Sequence, residues 1–190
     1  MTRVLLVGNG AREHAIAASL HAADVELVAR MSRNNPGIAG ISREVSIGPL
    51  EDFASYPSLD GVDYAVIGPE APLAAGVVDF LESRGVPCVG PNKTAARIET
   101  SKVFARQLLS DVAPGANPQF GVARSRADIM DLIEALGLEN TVVKPDGLTG
   151  GKGVKIFGEH LASKDEVIDY ASSLIAKDGA VVLEQKLSGI

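Results

Sequence analysis

VVKPDGLTGGKGVKIF, Val142 to Phe157, places Gly147, Gly150, Gly151 and Gly153 between two β-branched runs, with Lys144 ahead of them and Lys152 among them. Glycine costs backbone entropy in any ordered element, so such a cluster is expected where the main chain passes close to a ligand or has to move. A P-loop would end in Gly-Lys-Ser/Thr and lead into a helix. Here Lys152 is followed by Gly153 and then by VKIF, which reads as a strand. The loop is therefore a lid between two strands of a hairpin. Its N–H groups would lie over phosphates, with Lys152 adding charge at the tip. Lys144, in the strand before it, either faces solvent or points at an anion. A plain surface turn is the alternative.

Working outward, the lid sits in a strand–helix–strand pattern. Gln119–Val122, Thr141–Lys144, Val154–Phe157 and Val181–Gln185 read as strands. The helices between them begin SRAD, Ser125 with Asp128, and SKDE, Ser163 with Glu166, both of which fit a capping box. Upstream, helices are expected over Lys93–Ile98 and Ser101–Leu109, then a break, APGANPQ, that marks a boundary. The expected organisation is an α/β domain over 1–98, connecting helices and linker over 99–118, and a smaller α+β subdomain over 119–190. The chain ends in EQKLSGI without a capped helix or polar tail, which reads as an incomplete second domain.

The first half alternates short apolar strands, RVLLV, VELVA, YAVIG and VPCVG, with helical stretches. In LAAGVVDFLESRG, read as one helix, Leu73, Val77, Val78 and Leu81 share a face. This pattern predicts an open, doubly wound parallel sheet covered on both faces. GNGARE, Gly8 to Glu13, follows a strand and opens a helix as a dinucleotide fingerprint does, but Glu13 stands where the third glycine belongs. The second strand ends without an acidic residue for a ribose hydroxyl; Arg30 and Arg33 would instead meet a 2'-phosphate, leaving an NADP-dependent oxidoreductase as an alternative. What remains is an anion site of backbone N–H groups at a helix N-terminus, with Gly8 and Gly10 permitting close approach. A tight turn without ligand is the competing reading.

Composition narrows the function. At 190 residues, 46% hydrophobic and 22% charged, the chain is an ordinary globular protein. A net charge of -6 argues against nucleic acid as a partner. The single Cys88 lies in an apolar run and reads as a buried thiol. There is no apolar run of secretory or membrane-spanning length, which makes the cytoplasm the expected location.

VLLVGNGAREHAI, VIGPEAPLAAGVVD, VGPNKTAARIETSKVFAR and VVKPDGLTGGKGV, in this order and separation, resemble the phosphoribosylamine–glycine ligase (glycinamide ribonucleotide synthetase) family of the ATP-grasp superfamily. The likeness runs from Arg3 to the end and covers the N-terminal half of such a ligase. It implies a pre-ATP-grasp N-domain followed by an ATP-grasp lid subdomain. It also implies ATP-driven ligation of glycine to 5-phosphoribosylamine through glycyl phosphate, giving glycinamide ribonucleotide, ADP and phosphate. By the resemblance, Gly8, Asn9, Gly10 and Arg12 hold the substrate phosphate. Glu70, after a buried strand and rigidified by Pro69 and Pro72, accepts the sugar hydroxyls, and Pro91 and Asn92 complete the pocket. His14, near the start of the helix that GNGARE opens, is expected to pack or hydrogen-bond rather than to take part in catalysis. ATP falls to Lys102, Lys144, Gly147, Gly150, Gly151, Lys152 and Gly153, with Lys144 and Lys152 acting on the transferring phosphoryl group. Glu184, Gln185, Lys186 and Leu187 line the adenine edge, with the Leu187 N–H as donor. The magnesium ligands of the family fall in the other half, so no metal site is expected here and the chain alone is expected to be inactive; a non-catalytic nucleotide- or phosphosugar-binding fragment is the alternative. The loop MSRNNPGIAG differs from the shorter bacterial form, which leaves the substrate contacts at Asn34–Gly37 open.

Overall fold

A computed structural model describes residues 1–150 and 152–189. The chain divides into two compact units, Met1–Ala96 and Arg97–Ile190.

The first unit is a parallel sheet with helices. Its strands are β1 (Arg3–Val7), β2 (Glu26–Met31), β3 (Glu44–Ile47), β4 (Tyr64–Ile67) and β5 (Cys88–Val89). They lie in the order β3-β2-β1-β4-β5, and every neighbouring pair is parallel. β1 is central because RVLLV can be buried on both faces. Leu5 and Val7 enter one core with Val77, Val78 and Leu81, while Leu6 enters another with Ala17, Leu27 and Ile38. Strands buried on both sides are what a parallel sheet requires. Helices α1 (Ala11–Ala22), α2 (Pro36–Ala39), α3 (Glu70–Ala75) and α4 (Val77–Glu82) connect them. The strand order reverses beside β1, so the turns after β1 and β4 lie where open sheets bind ligands.

Two sequence expectations change in this unit. The single helix read through LAAGVVDFLESRG is split into α3 and α4 by Gly76, whose φ of 100° ends the first helix in the left-handed region. The apolar face survives the break: Val77, Val78 and Leu81 are buried in one core and Leu73 packs against it. The helix expected at Lys93–Ile98 is turn up to Ala96, because Asn92 Oδ1 accepts the Ala95 N–H at 2.9 Å and shapes a tight corner there.

The second unit begins with α5 (Arg97–Thr100) and α6 (Lys102–Val112), which belong to this compact body. Strands β6 (Phe120–Ala123), β7 (Thr141–Pro145), β8 (Lys155–Ile156) and β9 (Val181–Gln185) form an antiparallel sheet in the order β6-β9-β7-β8. Helices α7 (Arg126–Leu136) and α8 (Lys164–Asp178) cover one face, burying Ile129, Ile133, Val167 and Ala171 against Val143 and Leu183. The opposite face carries a smaller core of Val103, Ala180 and Val182. Register places Lys144 opposite Val182, and Glu184 opposite Val142 and Phe120. Opposed residues share a face, so the charged pair lies on the side that α7 and α8 leave uncovered.

Candidate functional site

Each unit carries a cluster of polar residues at the place its topology favours. In the first, β1 feeds Gly8–Gly10 into the start of α1. The N–H of Gly10 is not free for an anion: it donates to Glu13 Oε2 at 2.6 Å. Glu13 is 4% exposed. A methyl group added at Gly8, Gly10 or Gly68 would fall 2.6, 2.7 or 2.3 Å from its side chain. These glycines therefore make room for a buried carboxylate, which takes the Gly10 N–H that was expected to meet a phosphate. Arg12 Nε pairs with Glu13 Oε1 at 2.9 Å, and its Nη2 lies 3.8 Å from Glu70 Oε2. The hydrogen bond to Glu13 raises the Arg12 pKa above its ordinary value.

Asn9 is a staple as well as a lining residue. Its Oδ1 accepts from Ser32 N at 3.1 Å and Ser32 Oγ at 2.6 Å, and its carbonyl accepts from Asn35 Nδ2 at 3.0 Å. Beside it opens a cleft of about 260 Å³, lined by Asn9, Gly10, Glu13, Ser32, Glu51 and Pro69 among others. Glu70 stands at the start of α3. Pro91 and Asn92 are exposed beyond β5 and do not line this cleft. His14 packs close to Gly37, where an added methyl would fall 2.3 Å from the ring.

Arg30 does not meet a 2'-phosphate. It is 1% exposed, and its guanidinium donates to Ser46 Oγ at 2.7 Å, to the Pro49 carbonyl at 3.0 Å and to Ser55 Oγ. The NADP reading thereby loses Arg30 as a phosphate ligand; Arg33, beyond the end of β2, is exposed.

In the second unit the cations converge on the face that α6 crosses. Lys102, the first residue of α6, donates from Nζ to the Gly147 carbonyl at 3.1 Å. Burial, ahead of other causes that include the charge of Lys144, lowers its pKa. Lys144 pairs with Glu184, which is 4% exposed. Arg106 takes the other carboxylate oxygen through Nε and Nη2, each at 2.9 Å. Asp146 fixes the root of the glycine turn by accepting the Val103 N–H at 2.8 Å and the Ser101 hydroxyl at 3.0 Å. Gly147 and Gly150 have open space around them, and Gly150 adopts a φ of 57°. A methyl added at Gly153 would fall 2.6 Å from Pro145, and the Gly153 carbonyl accepts the Tyr170 hydroxyl at 2.8 Å. Lys152 is exposed at the tip; Gly151 lies outside the described residues.

The adenine edge expected at Glu184–Leu187 separates into different roles. Glu184 turns its side chain into the ion cluster. The Gln185 N–H donates to the Gln119 carbonyl at 2.8 Å and the Lys186 N–H to the Asn140 carbonyl at 2.7 Å, so neither is open to a ligand. Lys186 Nζ reaches Glu159 at 2.6 Å. Leu187 is 68% exposed, and its N–H has no acceptor among the described residues. Sequence reasoning missed Arg106 and Asp146. Arg106 stands four residues after Lys102 on the same helical face, and Asp146 lies in a Pro-Asp-Gly turn; both signals were available. Among the described residues no group of three or more His, Cys, Asp or Glu side chains is arranged to hold a metal ion.

Residues 2–99 match the family described as phosphoribosylglycinamide synthetase, N domain, and residues 100–190 match its ATP-grasp (A) domain. The chain is 43% identical to a phosphoribosylamine–glycine ligase of Pyrococcus furiosus over 100% of its own length and 44% of the relative's. It is 44% identical to one of Methanoregula boonei over 98% of itself and 44% of that protein. It thus spans less than half the length of these relatives. The solved phosphoribosylamine–glycine ligase of Thermotoga maritima superposes with a TM-score of 0.75 at 28% identity, covering 100% of this chain and 45% of that one. The N5-carboxyaminoimidazole synthetase of Staphylococcus aureus complexed with ADP gives 0.73 at 14% identity, covering 98% and 47%, a likeness of fold alone.

Proposed function

The chain belongs to the phosphoribosylglycinamide synthetase family, and we propose that it forms part of an ATP-dependent ligase that joins glycine to 5-phosphoribosylamine in purine biosynthesis. The observation that carries this reading is the convergence of Lys102 and Lys144 on one sheet face at the root of an open glycine turn. Two ammonium groups there suit a triphosphate, whose transfer is governed by positioning and charge compensation.

In this reading the first unit is the open doubly wound domain that holds the phosphosugar, and the second is the ATP-grasp lid subdomain. The γ-phosphoryl group of ATP passes to the glycine carboxylate, giving ADP and glycyl phosphate. The amine of phosphoribosylamine then attacks the acyl carbon, loses a proton and displaces phosphate, giving glycinamide ribonucleotide. Lys102 and Lys144 offset the phosphate charge, Gly147, Gly150 and Gly153 let the turn close over it, and Lys152 adds charge from the tip. Leu187 offers its N–H to the adenine edge. Around the first cleft, Asn9, Gly10, Arg12 and Glu70 take the sugar; because Glu13 takes the Gly10 N–H, hydroxyl recognition suits this cleft better than direct phosphate capture at Gly10. A cytoplasmic location fits the activity, and the partner is the remainder of the longer relatives.

The test is phosphate release from ATP in the presence of glycine and phosphoribosylamine, by the chain alone and mixed with the remaining part of a longer relative. Release is expected only in the mixture. Release in neither, together with no heat of ATP binding to the chain, overturns the reading.

A further inference from the structure

We infer that Arg106 is a positioning residue for polyphosphate capture: it keeps the buried Glu184 carboxylate compensated when Lys144 leaves that carboxylate for the anion. The ligand in this inference rests on the nucleotide reading above. Its ground is the division of one carboxylate between two unlike cations. Glu184 Oε1 meets Lys144, while Oε2 accepts Nε and Nη2 of Arg106, each at 2.9 Å. The Glu184 side chain is 6% exposed, so either oxygen left alone would be a buried charge without a partner.

The two cations are anchored differently. Arg106 Nη1 also reaches Asn117 Oδ1 at 3.3 Å, and Asn117 Nδ2 returns a bond to the Arg106 carbonyl at 2.9 Å. The guanidinium is thus held from both ends of its residue. Among the described residues Lys144 has Glu184 as its one ion-pair partner, and it sits at the root of the glycine turn beside Lys102. A four-carbon stem lets an ammonium swing to a new anion, whereas a guanidinium fork with two bonds to one oxygen stays in place. Breaking a buried pair from one side is strongly unfavourable because it strands a charge. Here the stranding is avoided: when Lys144 departs, Glu184 and Arg106 remain a pair. The three groups together carry one net positive charge; without Arg106 they would carry none, and Lys144 would stay with Glu184.

The probe is magnesium-free tripolyphosphate, and the readout is the concentration that half-protects Lys144 from an amine-acylating reagent, followed by peptide mass spectrometry and normalised to each variant's unprotected rate. Arg106→Met is expected to raise that concentration by at least about tenfold. Arg106→Lys, which keeps the charge but loses the two-bond fork, is expected to raise it by less than Arg106→Met does. The double variant Arg106→Met/Glu184→Gln is expected to return to the parent value or below, since no carboxylate then retains Lys144. Should Arg106→Met fail to fold, Glu184→Gln decides alone: it must bind at least as tightly as the parent. Equal protection in parent and Arg106→Met, no protection of Lys144 in the parent, or a weakened Glu184→Gln would each overturn the inference. ATP in the same assay separates this from the functional reading. If tripolyphosphate behaves as described and ATP does not protect, the nucleotide assignment falls and the role of Arg106 stands.

Discussion

Glu13 sets the character of the first cleft. A carboxylate that is 4% exposed, capped onto the Gly10 N–H and paired with Arg12, occupies that N–H and sets a negative charge at a helix terminus that would otherwise attract anions. The glycines around it are required by space. Gly68 does not adopt a left-handed φ, yet a methyl there would fall 2.3 Å from Glu13 Cγ. Gly68→Ala is therefore expected to destabilise the Met1–Ala96 unit by ~1–3 kcal/mol, the range of overpacked interiors. Adding Glu13→Ala should recover part of that loss, because the clashing atoms are gone, whereas independent sites would simply add. Urea denaturation of the two single variants and the double variant decides it: a double variant as unstable as the sum of the singles would refute the steric account. This residue scale was the least legible in the sequence. Glu13 was recognised as out of place in a dinucleotide fingerprint, but a linear pattern does not say that its side chain folds back among Gly8, Gly10 and Gly68. Arg30 was misread for the same reason, since burial is decided by Ser46, Pro49 and Ser55 arriving from a distant segment.

Elements were more legible, because helix caps and apolar runs are local. Ser125 with Asp128 starts α7 as a full capping box. Ser163 starts α8, although Glu166 returns its carboxylate to the Ala162 N–H at 2.7 Å, one residue earlier than the motif implies. β3 was missed because EVSI is short, begins with a charge and is largely exposed; only pairing with β2 makes it a strand. The α7 cap has a consequence in pH. The Arg124 N–H bond at 2.8 Å leads the causes that hold the Asp128 carboxyl below its ordinary 3.8, with Ser125 adding to it. A depressed acid favours the folded state while ionised, so its contribution is complete above 3.8 and fades as pH falls through the lower folded value. Asp128→Asn keeps an acceptor and removes the charge. The parent is expected to be the more stable at neutral pH, with the difference closing in strong acid. A difference that persists unchanged in strong acid would mean that the charge is not its source.

At the scale of the molecule, each cluster is assembled within one compact unit: Asn9, Arg12, Glu13 and Glu70 in Met1–Ala96, and Lys102, Arg106, Lys144 and Glu184 in Arg97–Ile190. A ligand stabilises what it binds by mass action, ~2.7 kcal/mol at a hundredfold excess over Kd. Amide exchange reports this stabilisation segment by segment, because protected amides exchange through local or subglobal opening. ATP is therefore expected to slow exchange in α6, β7 and β9, and ribose 5-phosphate to slow it at Asn9–Glu13 and in α3. The pattern is expected to be selective because the groups proposed for each ligand are confined to one compact unit. Hydrogen-exchange mass spectrometry of the chain with each ligand separately is the measurement. ATP protection concentrated in α1 and α3, or ribose 5-phosphate protection concentrated in β7 and β9, would reverse the assignment of the two clusters. Protection by neither ligand at saturating concentration would mean that the residues gathered in each unit do not form a binding site without the remaining length of the relatives.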